Sequence, residues 1–133
     1  MLGAAAFLMK NGKNVTFELN TPIAGDAPFG GYLKDDKTTY RTLRNAFNAA
    51  QASFRGLSET PESLTNRDLQ GFNAAAWSSL RESCEHTLAE KSKDLEVICW
   101  WVAAMLHGDT PLENTSNALQ ALADYASSDL DNL

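Results

Sequence analysis

Ser92-Lys93-Asp94-Leu95-Glu96-Val97-Ile98-Cys99-Trp100-Trp101-Val102-Ala103-Ala104-Met105-Leu106 reads as a short helix with almost no polar side. Ser92 is placed to cap it, and Asp94 and Glu96 fall in the first turn, where the helix dipole favours negative charge. His107 suits the last turn, and Gly108 can take the left-handed position beyond it. Leu95, Ile98, Cys99, Val102, Met105 and Leu106 make one stripe at helical spacing, while Val97, Trp100, Trp101 and Ala104 cover the opposite side. A helix that is apolar all round must be buried on more than one face. At about 15 residues, with acids at its start, it is too short to span a bilayer. The segment is therefore the central helix of a soluble bundle, or one that offers an aromatic face to a partner. Consecutive helical residues point about 100° apart, so Trp100 and Trp101 cannot share the core stripe. One of them needs cover from the N-terminal segment, another domain or a partner, and intramolecular cover is the preferred reading.

Three more helices follow from pattern and caps, which makes the fold all-α, a bundle of about four main helices. Tyr40, Leu43, Phe47, Ala50, Phe54 and Leu57 recur in steps of three and four, with Asp35 and Asp36 just ahead of them. A second helix starts near Thr65-Asn66-Arg67-Asp68 and should bury Leu69, Phe72, Ala76, Leu80, Cys84 and Leu88. The last helix should open on Thr110 as N-cap, Pro111 at the first position and Glu113 closing a capping box. Its expected seam is Leu112, Thr115, Leu119, Leu122 and Ala126. The connections at Lys91–Lys93 and His107–Thr110 are short, so consecutive helices should run antiparallel.

The N-terminal part is of another kind. Asn11-Gly12 lies between Phe7-Leu8-Met9 and Val15-Thr16-Phe17-Glu18-Leu19, a hairpin signal, although an isolated hairpin is marginal in water. Residues 1–20 are thus either a leader or a short hairpin lying on the bundle. Thr21 to Tyr32, with two prolines and three glycines, should be an extended strap. The apolar run at residues 2–9 lacks a preceding basic residue and ends at Lys10, which argues against a signal peptide and for a cytoplasmic protein.

Composition narrows the functional classes. Hydrophobic content of 44% and charged content of 21% are those of a folded domain, and 133 residues suffice for one core. A net charge of −6 argues against nucleic acid and against anionic membrane surfaces as partners. Cys84 and Cys99 both fall on apolar helix positions, read as two buried reduced thiols, with a disulfide as the alternative. His86 stands two positions from Cys84, about 160° away on a helix, so the two cannot act as nucleophile and base. Neither histidine has neighbours at zinc-ligand spacing, and Gly25, Gly30 and Gly31 form no phosphate-binding pattern. No catalytic site, metal site or cofactor is expected, and the chain reads as a non-enzyme. Five residues are candidates for protein binding. Lys37, Arg41 and Arg44 line one side of the first helix, after Lys34, and Trp100 and Trp101 supply the aromatic alternative. A helical small-molecule-binding or regulatory domain, with a pocket under the strap near Trp100, is the rival reading.

Two blocks carry a family resemblance. One is Lys93-Asp94-Leu95 followed by the tryptophan-containing apolar run. The other is Pro22-Ile23-Ala24-Gly25-Asp26-Ala27-Pro28-Phe29-Gly30, continued by Tyr32-Leu33-Lys34-Asp35-Asp36 and Tyr40 to Gln51. Their order and spacing are similar to the ImpA-related N-terminal domain of TssA-type proteins of the bacterial type VI secretion machine. Residues 21–133 would be that domain. The chain departs from the pattern at Phe29, where members often have Cys. It departs again at Leu130-Asp131-Asn132-Leu133, in place of a Trp-Asp-x-Leu-x-Pro ending, which suggests one domain of a longer protein. The resemblance implies an interaction domain working with baseplate, sheath and tube, or membrane-complex subunits at the inner membrane. It also implies a full-length protein that forms homo-oligomers.

Overall fold

A computed structural model describes residues 6–10 and 13–129, with side chains from Phe17 to Ser127. Strands β1 (Ala6–Lys10) and β2 (Lys13–Phe17) pair antiparallel, with Ala6 opposite Phe17; the expected Asn11-Gly12 turn lies outside the described residues. A 3₁₀ turn at Leu33–Asp35 leads into α1 (Lys37–Glu59), and another at Pro61–Leu64 leads into α2 (Arg67–Glu90). Then come α3 (Leu95–Leu106) and α4 (Pro111–Asp129). Each helix packs on the next in the chain, the arrangement of an all-α bundle.

The helix starts follow side-chain chemistry. Asp36 caps α1 by accepting from the Thr39 amide (3.1 Å) and hydroxyl (2.6 Å). Asn66 caps α2 through the Asp68 and Leu69 amides. The α3 cap is Asp94, which accepts from the Glu96 and Val97 amides, and not Ser92. Ser92 is buried, and its hydroxyl donates to the Gly31 carbonyl (2.7 Å), so the residue holds the strap. The expected geometry at the α3–α4 turn also differs. Thr110, not Gly108, has positive φ (+46°), which is incompatible with the extended backbone that a capping box needs. The Asn114 amide group braces this turn by donating to the Asp109 carbonyl.

The expected seams hold along most of α1 and α2, where Leu80, Cys84 and Leu88 are buried, and turn only in part in α3 and α4. In α1, Leu43 and Ala50 are buried, but Phe54 is 44% exposed at the mouth of a cleft. In α2, Phe72 is 71% exposed and Trp77 takes its place in the core. In α4 two leucines turn outward, Leu112 and Leu119 being 84% and 51% exposed, while Leu122 packs on the core as expected and Ala118, Ala121 and Tyr125 face in. Small residues at that position let α4 approach the bulky side chains of α3, and close packing outweighs the larger transfer energy of leucine. In α3 the buried set is Val97, Ile98, Trp100, Trp101, Ala104 and Met105, whereas Leu95, Cys99 and Leu106 are exposed.

Both tryptophans are inside. Phe47 of α1 stacks on Trp100 (5.5 Å between centroids) and Tyr40 lies 6.0 Å away, so α1 supplies that cover. Trp101 meets the edge of Phe17 at 5.2 Å, just before the strap begins. The strap itself packs lower, with Phe29 against Tyr125 of α4 and Ile23 buried. Its backbone joins the α2–α3 turn, where Lys93 N–H donates to the Phe29 carbonyl (2.8 Å) and Gly30 bridges to Ser92.

Candidate functional site

Lys37, Arg41 and Arg44 are all exposed on α1, at spacings that keep their side chains within about 60° of one another around the helix axis. Lys34 lies 5.5 Å above the Tyr40 ring at the head of this row. Beside it, Asp36 is held below the usual carboxylate range by the Thr39 hydroxyl and amide, with Lys91 (3.6 Å) adding to the effect. The row is a solvated cationic ridge that can meet an acidic surface. Trp100 and Trp101, by contrast, are 7% and 0% exposed and present no surface to a partner.

One charged group reaches into the core from α2. Glu85 is 1% exposed; its Oε2 accepts from Trp101 Nε1 (3.0 Å) and from Arg81 Nε (3.2 Å). Its Oε1 has no hydrogen-bond partner among the described residues. Burial raises the Glu85 carboxyl above its ordinary value of 4.5, against the opposing pull of the Trp101 N–H and the Arg81 guanidinium. The folded protein therefore keeps this proton to higher pH than the unfolded chain does. The stability that Glu85 contributes is complete below about pH 4.5 and is lost as pH rises through the folded value. Replacing Glu85 with Gln removes the titration. Urea midpoints taken between about pH 4 and 7 should then fall less steeply with pH than in the parent protein. Parallel slopes would show that Glu85 keeps an ordinary pKa.

Among the described residues, no reactive nucleophile accompanies this carboxylate. Cys84 is fully buried, and desolvation pushes its thiol up to about 12, which leaves it inert. His86 points away into solvent and pairs with Glu90 (3.3 Å). Lys93 Nζ is buried without a hydrogen-bond partner among the described residues, and its pKa drops to about 8 through desolvation. No group of three or more metal-ligating side chains occurs among the described residues. None of the described helices is long and apolar enough to cross a membrane.

The rival reading placed a pocket under the strap near Trp100, but α1 fills that position. An open cleft of about 470 Å³ lies elsewhere, walled by Phe47, Phe54, Trp77 and His107, with Gln51 and Arg55 at its rim. His107 stacks flat on Trp77 (3.9 Å, 7°), and Phe54 meets the imidazole edge-on at 4.7 Å. Sequence reasoning missed this aromatic group because its members come from α1, α2 and the turn after α3, and His107 reads as a cap. It also missed the Glu85–Trp101 bond, since Glu85 lies off the expected apolar stripe. The position of Glu85 directly after Cys84, between core residues, was the available signal.

No curated protein and no solved structure matches the chain. A family model described as ImpA, N-terminal, type VI secretion system, matches residues 20–133. That interval begins where the strap begins, and it contains the Asp36 and Asp94 caps and the buried tryptophans. The chain belongs to the ImpA N-terminal family of the type VI secretion system.

Proposed function

We propose that this domain is a non-enzymatic protein–protein interaction module of a TssA-like secretion component. It acts in baseplate docking and in assembly of the tail tube and sheath. The family match over residues 20–133 carries the reading. The domain works in the cytoplasm, recruited to the secretion apparatus at the inner membrane, and its full-length protein forms homo-oligomers. It takes no cofactor and no nucleic acid, and it does not insert into the bilayer. Its partners are other secretion subunits, from the baseplate, the sheath and tube or the membrane complex.

Among the candidate residues, the exposed ridge of Lys37, Arg41 and Arg44 supports this role, because the two tryptophans are committed to the core. Charge complementarity at such a ridge governs encounter rate and register. The double reversal Arg41→Glu and Arg44→Glu should weaken capture of a purified baseplate, sheath or membrane-complex subunit by about tenfold or more, each close charge pair contributing on the order of 1 kcal/mol or above. Circular dichroism should be unchanged, since both side chains are in solvent. Unchanged capture of every subunit would remove the ridge from the interface, and failure of the parent domain to capture any subunit would overturn the interaction role.

A further inference from the structure

The outward side of α3 carries an apolar stripe that is largely in solvent among the described residues, with Val102 alone partly packed on the core. Leu95, Cys99, Val102 and Leu106 follow one another at steps of four, three and four, the spacing of a coiled-coil seam. Leu95 and Leu106 are 50% and 52% exposed, Cys99 is exposed and Val102 is half-buried. The stripe runs about 16 Å, three helical turns. On the neighbouring α4, Leu112 and Leu119 are also in solvent. Exposed leucines repeated along one helix in this way mark a contact surface more often than scattered apolar residues do.

Charge identifies what the stripe would accept. Residues 94–133 hold seven carboxylates and no lysine or arginine, whereas residues 1–93 hold eleven cations and ten carboxylates. Residues 94–133 of the sequence thus carry more than the whole net charge of −6. Acids stand at both ends of the stripe, Asp94 and Glu96 beside Leu95 and Asp109 beyond Leu106. A second copy of this chain laid on the stripe, parallel or antiparallel, would bring these acids against one another, which is unfavourable. A helix with leucine-type residues on one face and Lys or Arg at its flanks satisfies both the seam and the charge.

We infer that the Leu95–Cys99–Val102–Leu106 face of α3 is a docking site for a basic amphipathic helix of another polypeptide. This rests on the interaction role proposed above and assigns it a second surface, opposite in charge to the α1 ridge. Recognition is of the helix-in-groove kind, with the apolar seam giving affinity and the acids giving orientation.

The probe is a fluorescein-labelled 14-residue peptide of leucine and lysine, its leucines spaced by three and four, titrated into the full chain and followed by anisotropy. The expected result is saturable one-to-one binding that weakens about tenfold or more in the Leu95→Gln, Leu106→Gln double variant, a loss of about 1.4 kcal/mol. Far-ultraviolet circular dichroism and the melting temperature of the variant should match the parent, because both leucines are at the surface. A peptide of the same composition with scrambled spacing, and one with glutamate for lysine, should each bind about tenfold more weakly or worse. Equal binding of the scrambled peptide, or binding indifferent to the double variant, would overturn the site. So would a dimer in sedimentation velocity that the same variant dissociates, since a second copy would then own the face. Subunit capture through the α1 ridge is scored separately, so that the peptide site can fail while the interaction role stands.

Discussion

Trp101→Ala is expected to cost at least about 4 kcal/mol, a large part of the roughly 5–15 kcal/mol that holds a domain of this size together. The indole is fully buried among Phe17 and the α2 and α3 core, so its removal opens a cavity that rigid helices close only in part. It also deprives Glu85 Oε2 of its buried N–H donor, leaving Arg81 to serve a carboxyl already short of one bond at Oε1 among the described residues. Trp101→Phe helps to separate the two effects, since it loses the donor completely but only part of the ring volume. Urea denaturation of both variants measures them. A loss below about 1.5 kcal/mol for the alanine variant would mean that Trp101 is not the centre of the core.

Gly30→Ala should be strongly damaging although it adds only one methyl group, at about 2–4 kcal/mol. Gly30 has φ +75°, a conformation costly for any residue with a Cβ. A methyl group there would strike the Lys91 carbonyl oxygen and the Ser92 Cα, both backbone atoms that cannot rotate aside. Relief requires the strap to lift, which breaks the Gly30–Ser92 bridge and strains the neighbouring Lys93–Phe29 and Ser92–Gly31 bonds. Gly31→Ala is the control. No atom lies within 4 Å of its added Cβ, and the change should stay within about 0.5 kcal/mol. Equal thermal midpoints for the two variants would show that the strap is not docked as described.

The helices were legible because their ends are written in local chemistry: Asp36, Asn66 and Asp94 each accept from amides two or three residues ahead. The burial of both tryptophans of α3 was legible as the preferred of two readings, since adjacent helical residues cannot share one stripe and cover from within the chain was favoured over cover by a partner. What periodicity could not settle was the direction in which each seam faces. In α3 and α4 the rule that large apolar residues go inside placed Ile98, Met105 and Leu122 correctly but also selected Leu95, Leu106, Leu112 and Leu119, which are exposed while Trp100, Trp101, Ala118, Ala121 and Tyr125 are buried. That choice is made by the shape of the neighbouring helix, which a single segment does not contain. Ser92 was misplaced for a related reason. Its hydroxyl suits a cap, but its partner is the carbonyl of Gly31, sixty-one residues earlier. The basic ridge was legible as a row of cations; the apolar stripe on the outward side of α3 was not, because periodicity turns Leu95 and Leu106 inward, whereas both are exposed.

The two thiols also differ in a way that makes the molecule singly addressable. Cys84 is sealed in the core with its ionisation suppressed, while Cys99 stands in solvent on α3. A maleimide dye added to the native chain therefore attaches at one place, without any engineered cysteine. The attachment point is in the middle of the Leu95–Leu106 stripe, two residues from the buried indole of Trp101. A native fluorophore and a unique label thus lie on opposite sides of the same helix, and one reports on the packing of the interior while the other reports on whatever arrives from outside.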